Sequence, residues 1–207
     1  MSTILVYGGG GHAKVVVASI EAEGAYEVAG YVDDDPARQG AVHYGYPVLG
    51  NQSALVGIRD QGVAVATVAI GGNRRRAEVA PMLETQGFRL VTVMHPTAVV
   101  LRGSQVGAGT VVLPNAFIGG DALVGRGVIV SVGAVVGHDT VVGDFSHVGA
   151  NSVLGGGASV GDWSLIGLGA VVLPAVSVGR DVVVGASAAV ARDLPDGATA
   201  AGVPARI

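Results

Sequence analysis

Residues 123–149 read LVGRGVIVSVGAVVGHDTVVGDFSHVG, and an aliphatic residue returns at every sixth place: Val124, Val130, Val136, Val142 and Val148. Followed outward, the same step runs from Val106 through Val112, Ile118, Leu154, Val160, Ile166, Val172, Val178 and Val184 to Val190. All fifteen positions are aliphatic and fourteen are β-branched. Glycine usually comes next, as at Gly125, Gly137, Gly143, Gly149 and Gly155, and the fourth residue after each is often small, as at Thr110, Ala134, Ser146 and Ser152. A helix needs apolar spacings of three and four, and a hairpin sheet needs alternation without a corner every six residues. A short flat strand that turns at a glycine corner satisfies the pattern, its β-branched side chain pointing inward beside small neighbours.

This pattern resembles the hexapeptide-repeat family, which implies a left-handed parallel β-helix with three hexapeptides per coil. The left hand comes from the resemblance alone, because general crossover rules favour the right hand. The tail from residue 192, RDLPDGATAAGVPARI, is expected to cover one open end, which would otherwise expose unpaired strand edges.

Ahead of the repeat, Ile4 to Tyr7 reads as a buried strand, Gly8 to Gly11 as a tight loop and His12 to Glu23 as a helix. A second strand, Tyr26 to Val32, runs into Asp33-Asp34-Asp35, and a third, Val63 to Ile70, ends at Gly71-Gly72-Asn73. The order implies a small Rossmann-like α/β domain over residues 1–96, followed by a β-helix domain with a C-terminal cap over 97–207. In an open parallel sheet, ligands sit at the carboxyl ends of the strands. That places Gly8, Gly10, Gly11, His12, Asp33, Asp34, Gly72 and Asn73 around a candidate site for a nucleotide-linked sugar, with loop amides and a helix N-terminus facing its phosphates. The dinucleotide fingerprint is met only in relaxed form, with Ala13 in its third glycine place, and the P-loop fails because Val15 follows Lys14. Arg74, Arg75 and Arg76 read as a charged helix face rather than a ligand clamp. His43 and His95 read as structural.

Composition narrows the function. The formal net charge is -4 and charged residues make up 14% of the chain, so no basic field invites nucleic acid or an anionic membrane. With no cysteine there is no thiolate zinc site and no cysteine nucleophile. The first apolar stretch is broken at once by glycines, which reads as neither a signal peptide nor a membrane span, and a cytoplasmic location is expected.

Two histidines stand inside the repeat, His138 in VVGHDTVVG and His147 in DFSHVGA. A γ-type carbonic anhydrase needs three histidines on zinc, and no third is present in the repeat, so no metal is expected. With eighteen residues per coil, His138 and His147 lie half a coil apart and cannot meet within one chain. Neighbouring prisms in a symmetric trimer can bring them together. Gly156 follows His138 by one full coil, and its N–H is a candidate donor to a thioester oxygen.

YGGGGHAKVV at the start, VDDD, GHDTVVGDFSHVG and the terminal AGVPARI together resemble the NeuD/PglD-like sugar O-/N-acetyltransferases over nearly the whole chain. The resemblance implies acetyl-CoA as co-substrate, His138 as general base supported by Asp139, and His147, Gly156, Leu168 and Ala186 along the coenzyme. Ser131 stands where some relatives carry asparagine. The expected activity is N-acetylation of a nucleotide-linked amino sugar of the 4-amino-4,6-dideoxy type by a homotrimer. O-acetylation of a sialic-acid-type sugar and a non-catalytic nucleotide-sugar scaffold are the alternatives.

Overall fold

A computed structural model describes residues 2–207. The chain divides into two compact units with the boundary between Pro96 and Thr97.

The first unit is built on a six-stranded sheet. Strand β1 (Ser2–Tyr7) lies inside it, and helix α1 (Gly11–Glu23) follows at once. Then come β2 (Tyr26–Val32), the hairpin of β3 (Val42–His43) and β4 (Tyr46–Gly50), α2 (Leu55–Asp60), β5 (Val65–Val68), α3 (Asn73–Thr85) and β6 (Arg89–Leu90). The sheet order is β3-β4-β2-β1-β5-β6, parallel except for the β3–β4 pair. The hairpin and α2 were not anticipated from the sequence. Ile4, Leu5 and Val6 are fully buried, as expected for a strand flanked on both sides, and α1 packs through Ala13, Val16, Val17 and Ile20, a helical stripe. Gly8 turns the chain from β1 toward α1 with φ +101, and a methyl group there would lie 2.8 Å from Ile70 Cγ1 and 3.1 Å from Ala69 O. Only glycine fits both the angle and the space. Because β2 and β5 flank β1, their carboxyl ends converge with the glycine loop at the point where the strand order reverses.

The second unit is a left-handed parallel β-helix of two-residue strands on three faces. Face 1 carries Val99–Val100, Phe117–Ile118, Val135–Val136, Val153–Leu154, Val171–Val172 and Ala189–Val190. Face 2 holds Gln105–Val106, Leu123–Val124, Val141–Val142, Ser159–Val160 and Ser177–Val178. Face 3 includes Val111–Val112, Ile129–Val130, His147–Val148, Leu165–Ile166, Val183–Val184 and Thr199–Ala200. Partners stack eighteen residues apart, as in Val135↔Val153 and His147↔Leu165. The second residue of each repeat strand points inward: Val112, Ile118, Val130, Val136, Val148, Leu154, Ile166 and Val172 are 0% exposed. Val106, in the first coil, is half-buried.

The small residues of the repeat also have a bonding role. Ser164 Oγ donates to Gly179 O at 2.8 Å and accepts from Val182 N at 2.9 Å, and Thr110 makes the same pair of bonds with Gly125 O and Val128 N. Buried corner amides and carbonyls thereby find partners where no strand ladder reaches them. In the tail, Leu194 bridges Val178 and Thr199–Ala200 pairs with Val183–Val184, so the expected cover is built by extending the ladder itself.

Candidate active site

His138 occupies the corner that leads from face 1 to face 2. Its Nδ1 lies 2.7 Å from Asp139 Oδ2. An ionised carboxylate only accepts hydrogen bonds, so the neutral imidazole carries its proton on Nδ1 and keeps a lone pair on Nε2. Asp139 sits at φ 57, a left-handed corner conformation that aspartate tolerates better than most residues. A methyl group at Gly156 would overlap His138 Nε2 and Cε1, so the glycine one coil on lies directly against the ring.

The amides at this corner are arranged unequally. Gly155 N–H donates to Val172 O at 2.9 Å and Gly157 N–H to His138 O at 2.8 Å, while the Gly156 N–H between them takes no part in the ladder. At the corner between faces 2 and 3, the equivalent amides of Arg126 and Asp144 are bound by Asp144 Oδ1 and Asp162 Oδ1, each at 2.9 Å. One corner is sealed with carboxylates, and the other holds a proton acceptor beside an unengaged amide donor. Such a pairing can accept a proton from an attacking nucleophile and stabilise oxygen charge at the same place.

The remaining β-helix residues expected at the site lie elsewhere in the chain. His147 is the outward residue of a face 3 strand. Leu168 and Ala186 stack at the corner from face 3 to face 1, where a methyl group at Gly167, the residue before Leu168, would lie 2.7 Å from Ala186 N. Leu168 is 62% exposed. The His138 side chain is 73% exposed, so one chain by itself offers a base immersed in water.

In the first unit, the converging strand ends enclose a cavity of about 340 Å³ lined by Tyr7, Gly8, Gly10, Gly11, His12, Asp33, Asp34, Arg38, Ala69, Ile70, Gly71 and Arg75. Gly72 and Asn73 are outside this wall; Gly72 caps α3, and Asn73 Oδ1 accepts from Arg76 Nη2 at 2.9 Å. The expectation of a charged helix face at 74–76 needs correction. Arg76 is 1% exposed and its guanidinium donates to Ile70 O at 3.0 Å and Gly71 O at 3.1 Å, which fixes the loop after β5. Burial lowers its pKa to about 10. Arg75 reaches into the cavity instead. Tyr7, Arg38 and Arg75 were not read from the sequence as site residues, since only the closure of the sheet brings them to the glycine loop.

Two ion pairs line this cavity. Asp33 is almost fully committed to the loop: Oδ2 accepts from Gly9 N at 2.5 Å and Arg38 Nη1 at 2.8 Å, and Oδ1 from Asp35 N at 2.8 Å. Burial works against its ionisation, but those donors outweigh it and hold the carboxyl below its ordinary value. Asp34 Oδ2 accepts from Tyr7 Oη at 2.6 Å and Arg75 Nη2 at 2.9 Å. His12 is pushed down to about 4, first by burial and then by the nearby Arg76 charge, so it faces the cavity as a neutral imidazole.

Among the described residues no group of three or more His, Cys, Asp or Glu side chains is placed to hold a metal ion, and no helix is long and apolar enough to cross a membrane.

Known proteins resemble this chain in sequence and in fold. Residues 3–83 match the family profile described as PglD N-terminal domain. PerB from Caulobacter crescentus, solved with CoA and GDP-perosamine, is 43% identical with a TM-score of 0.95, over 100% of this chain and 97% of that one. The acetyltransferase domain of PglB from Neisseria gonorrhoeae, solved with acetyl coenzyme A, is 36% identical with a TM-score of 0.91, over 99% and 98%. The UDP-N-acetylbacillosamine N-acetyltransferase of Bacillus subtilis is 34% identical over 114 residues, which is 54% of this chain and about half of that protein, 51%. With PerB and the PglB acetyltransferase domain matched over 97% and 98% of their chains, the chain belongs to the PglD/NeuD-like family of acetyl-CoA-dependent sugar acetyltransferases.

Proposed function

We propose that the chain transfers an acetyl group from acetyl-CoA to the amine of a nucleotide-linked 4-amino-4,6-dideoxy sugar, in the cytoplasm, as a homotrimer. The observation that carries this reading is the corner at which His138 Nε2, free to accept a proton, stands against Gly156. The free amine attacks the thioester carbonyl carbon, His138 Nε2 takes the proton the nitrogen sheds, and as the C–S bond breaks that proton passes to the departing sulfur, so coenzyme A leaves as the thiol and the imidazole is restored. The Gly156 N–H is the proposed donor to the carbonyl oxygen while it carries charge. Asp139 holds the imidazole in the reactive tautomer.

The way the faces are dressed supports the trimer. The outward residues of face 1 are Val99, Phe117, Val135, Val153, Val171 and Ala189, an unbroken apolar stripe, whereas faces 2 and 3 mix in Gln105, Ser159, Ser177, His147 and Thr199. Face 1 is also bounded by the two corners of interest, His138 and Gly156 along one edge and Leu168 and Ala186 along the other. Closing three chains around face 1 sets the first edge of each against the second edge of its neighbour. The coenzyme then lies between chains, touched by Gly156 of one and by Leu168, Ala186 and His147 of the next, and the base leaves water.

The acceptor class draws on the relatives, whose names specify GDP-perosamine and a UDP-linked amino sugar. The test is a thiol-release assay with acetyl-CoA and a panel of nucleotide-linked 4-amino sugars, their 4-hydroxy counterparts and free sialic acid. Turnover confined to the amino sugars is expected. Turnover confined to hydroxyl acceptors moves the assignment to O-acetylation, and none with any acceptor leaves a binding scaffold.

A further inference from the structure

We infer that Asp34 and Arg75 together read the base of the bound nucleotide and select guanine. The inference rests on the reading of the first unit's cavity as a nucleotide-sugar site and adds the identity of the base.

The two carboxylates in this cavity are not equivalent. Asp33 is 7% exposed, with its oxygens bound to the Gly9 and Asp35 amides and to Arg38; it shapes the loop. The Asp34 side chain is 38% exposed and its partners leave room for exchange. Oδ1 accepts a single bond, from Gln52 N at 3.1 Å, so one of its acceptor positions is open. Oδ2 accepts from the Tyr7 hydroxyl and from Arg75 Nη2.

Arg75 is held by a second carboxylate as well: its Nη1 donates to Glu78 Oε2 at 3.0 Å, and Glu78 is not part of the cavity wall. The guanidinium can therefore release Asp34 without losing every anionic partner. Release opens one acceptor position on Oδ2 beside the one on Oδ1, with Arg75 donors next to them. The wall then presents, side by side, a cationic donor and two anionic acceptors.

Among the common bases guanine alone offers the complement along one edge, the acceptor O6 followed by the donors N1–H and N2–H. Adenine and cytosine present one exocyclic donor beside a ring acceptor. Uracil has one donor between two carbonyl oxygens, so its second oxygen would face a carboxylate oxygen with no proton between them. Arg75 donates to O6 and Asp34 accepts both N–H groups, all charge-assisted bonds of the stronger class. The carboxylate is in the required form. Burial opposes its ionisation, but the Tyr7 hydroxyl, the Gln52 amide and Arg75 together hold its pKa below the ordinary value.

The test is calorimetric titration of the full chain, wild type, Arg75→Met and Asp34→Asn, with the diphosphates of guanosine, inosine, uridine and adenosine. Inosine diphosphate keeps O6 and N1–H but lacks the 2-amino group. Wild type is expected to bind GDP roughly tenfold or more tightly than the other three, because each of the others leaves a charged donor or acceptor of the pair unmatched. Arg75 is half-exposed, so its replacement leaves the fold intact. Arg75→Met should lose about five- to tenfold for the two 6-oxopurines and less than about twofold for ADP. Asp34→Asn should erase the GDP over inosine diphosphate preference.

Wild type favouring UDP or ADP, or binding GDP and inosine diphosphate equally, overturns the inference. So does a uniform loss across all four nucleotides in Arg75→Met or Asp34→Asn, which assigns the pair to the phosphates or the ribose. A chain that binds acetyl-CoA but none of the four sinks the nucleotide-site reading itself, and base selection with it.

Discussion

At the scale of single residues, His138 carries the proposed chemistry and its environment says how. A base held by Asp139 through Nδ1 acts while the proton moves, not while substrates bind. Replacing His138 with alanine should lower kcat by about 10²- to 10⁴-fold and leave the acetyl-CoA KM within about twofold. Steady-state kinetics with both substrates varied checks this, and a near-normal kcat would sink the assignment. His12 supports a different prediction, about stability. Its pKa is about 4 in the folded chain against 6.5 for the ordinary side chain, because burial and Arg76 disfavour the cation. Between those values the unfolded chain binds more protons than the folded one, so stability is full above about 6.5 and falls as pH drops toward about 4. The loss at the acid end should be on the order of 3 kcal/mol. Thermal unfolding from pH 7 to 4 should show this slope in wild type and a flatter one in His12→Asn. The catalytic candidates were legible from rarity, since histidine interrupts an otherwise aliphatic repeat. Arg75 and Arg76 were not: adjacent arginines look alike in a sequence, yet one is 1% exposed beneath the loop after β5 and its neighbour lines the cavity.

At the scale of elements, the coil is a ruler that sets residues eighteen apart against each other. Gly156 is the test of it. Its backbone lies outside the left-handed region, unlike that of Gly157 at φ +68, so alanine there costs no backbone strain. Its methyl group would instead drive into the His138 ring, turning the imidazole away from Asp139 and from the reacting nitrogen. Gly156→Ala should reduce kcat by roughly 10- to 100-fold, as small displacements of catalytic groups do, with a melting temperature within a few degrees of wild type. A variant with full kcat would show that the ring does not need that space. The β-helix was readable to this resolution because every coil repeats one solution to one packing problem. The β3–β4 hairpin and α2 are single events without a repeat to average over, and they went unread.

At the scale of the whole molecule, the proposed site is incomplete in one chain, and its assembly is open to experiment. Val153→Asp places a charge in the middle of the apolar face 1 stripe. Light scattering should then report monomers, with activity down by about 10²-fold or more because base and coenzyme edge no longer meet. A stable, active monomer would refute the shared site. Mixing two inactive variants, His138→Ala and Leu168→Asp, after denaturation and joint refolding should restore measurable turnover, since some mixed trimers contain an intact pair of edges. What the sequence by itself determined is whatever recurs or is chemically singular: the six-residue period and its inward valines, the glycine loop ahead of a helix, and two histidines half a coil apart. A hydrophobic period needs only local stereochemistry and burial to be interpreted. Only the tertiary structure decided which carboxylate, Asp33 or Asp34, keeps an open acceptor, which of Arg75 and Arg76 lines the cavity, and that Leu168 and Ala186 lie along the edge of face 1 opposite His138. Those outcomes depend on which strand ends the closed sheet brings together and on which way each corner turns, and neither is written in any local run of residues.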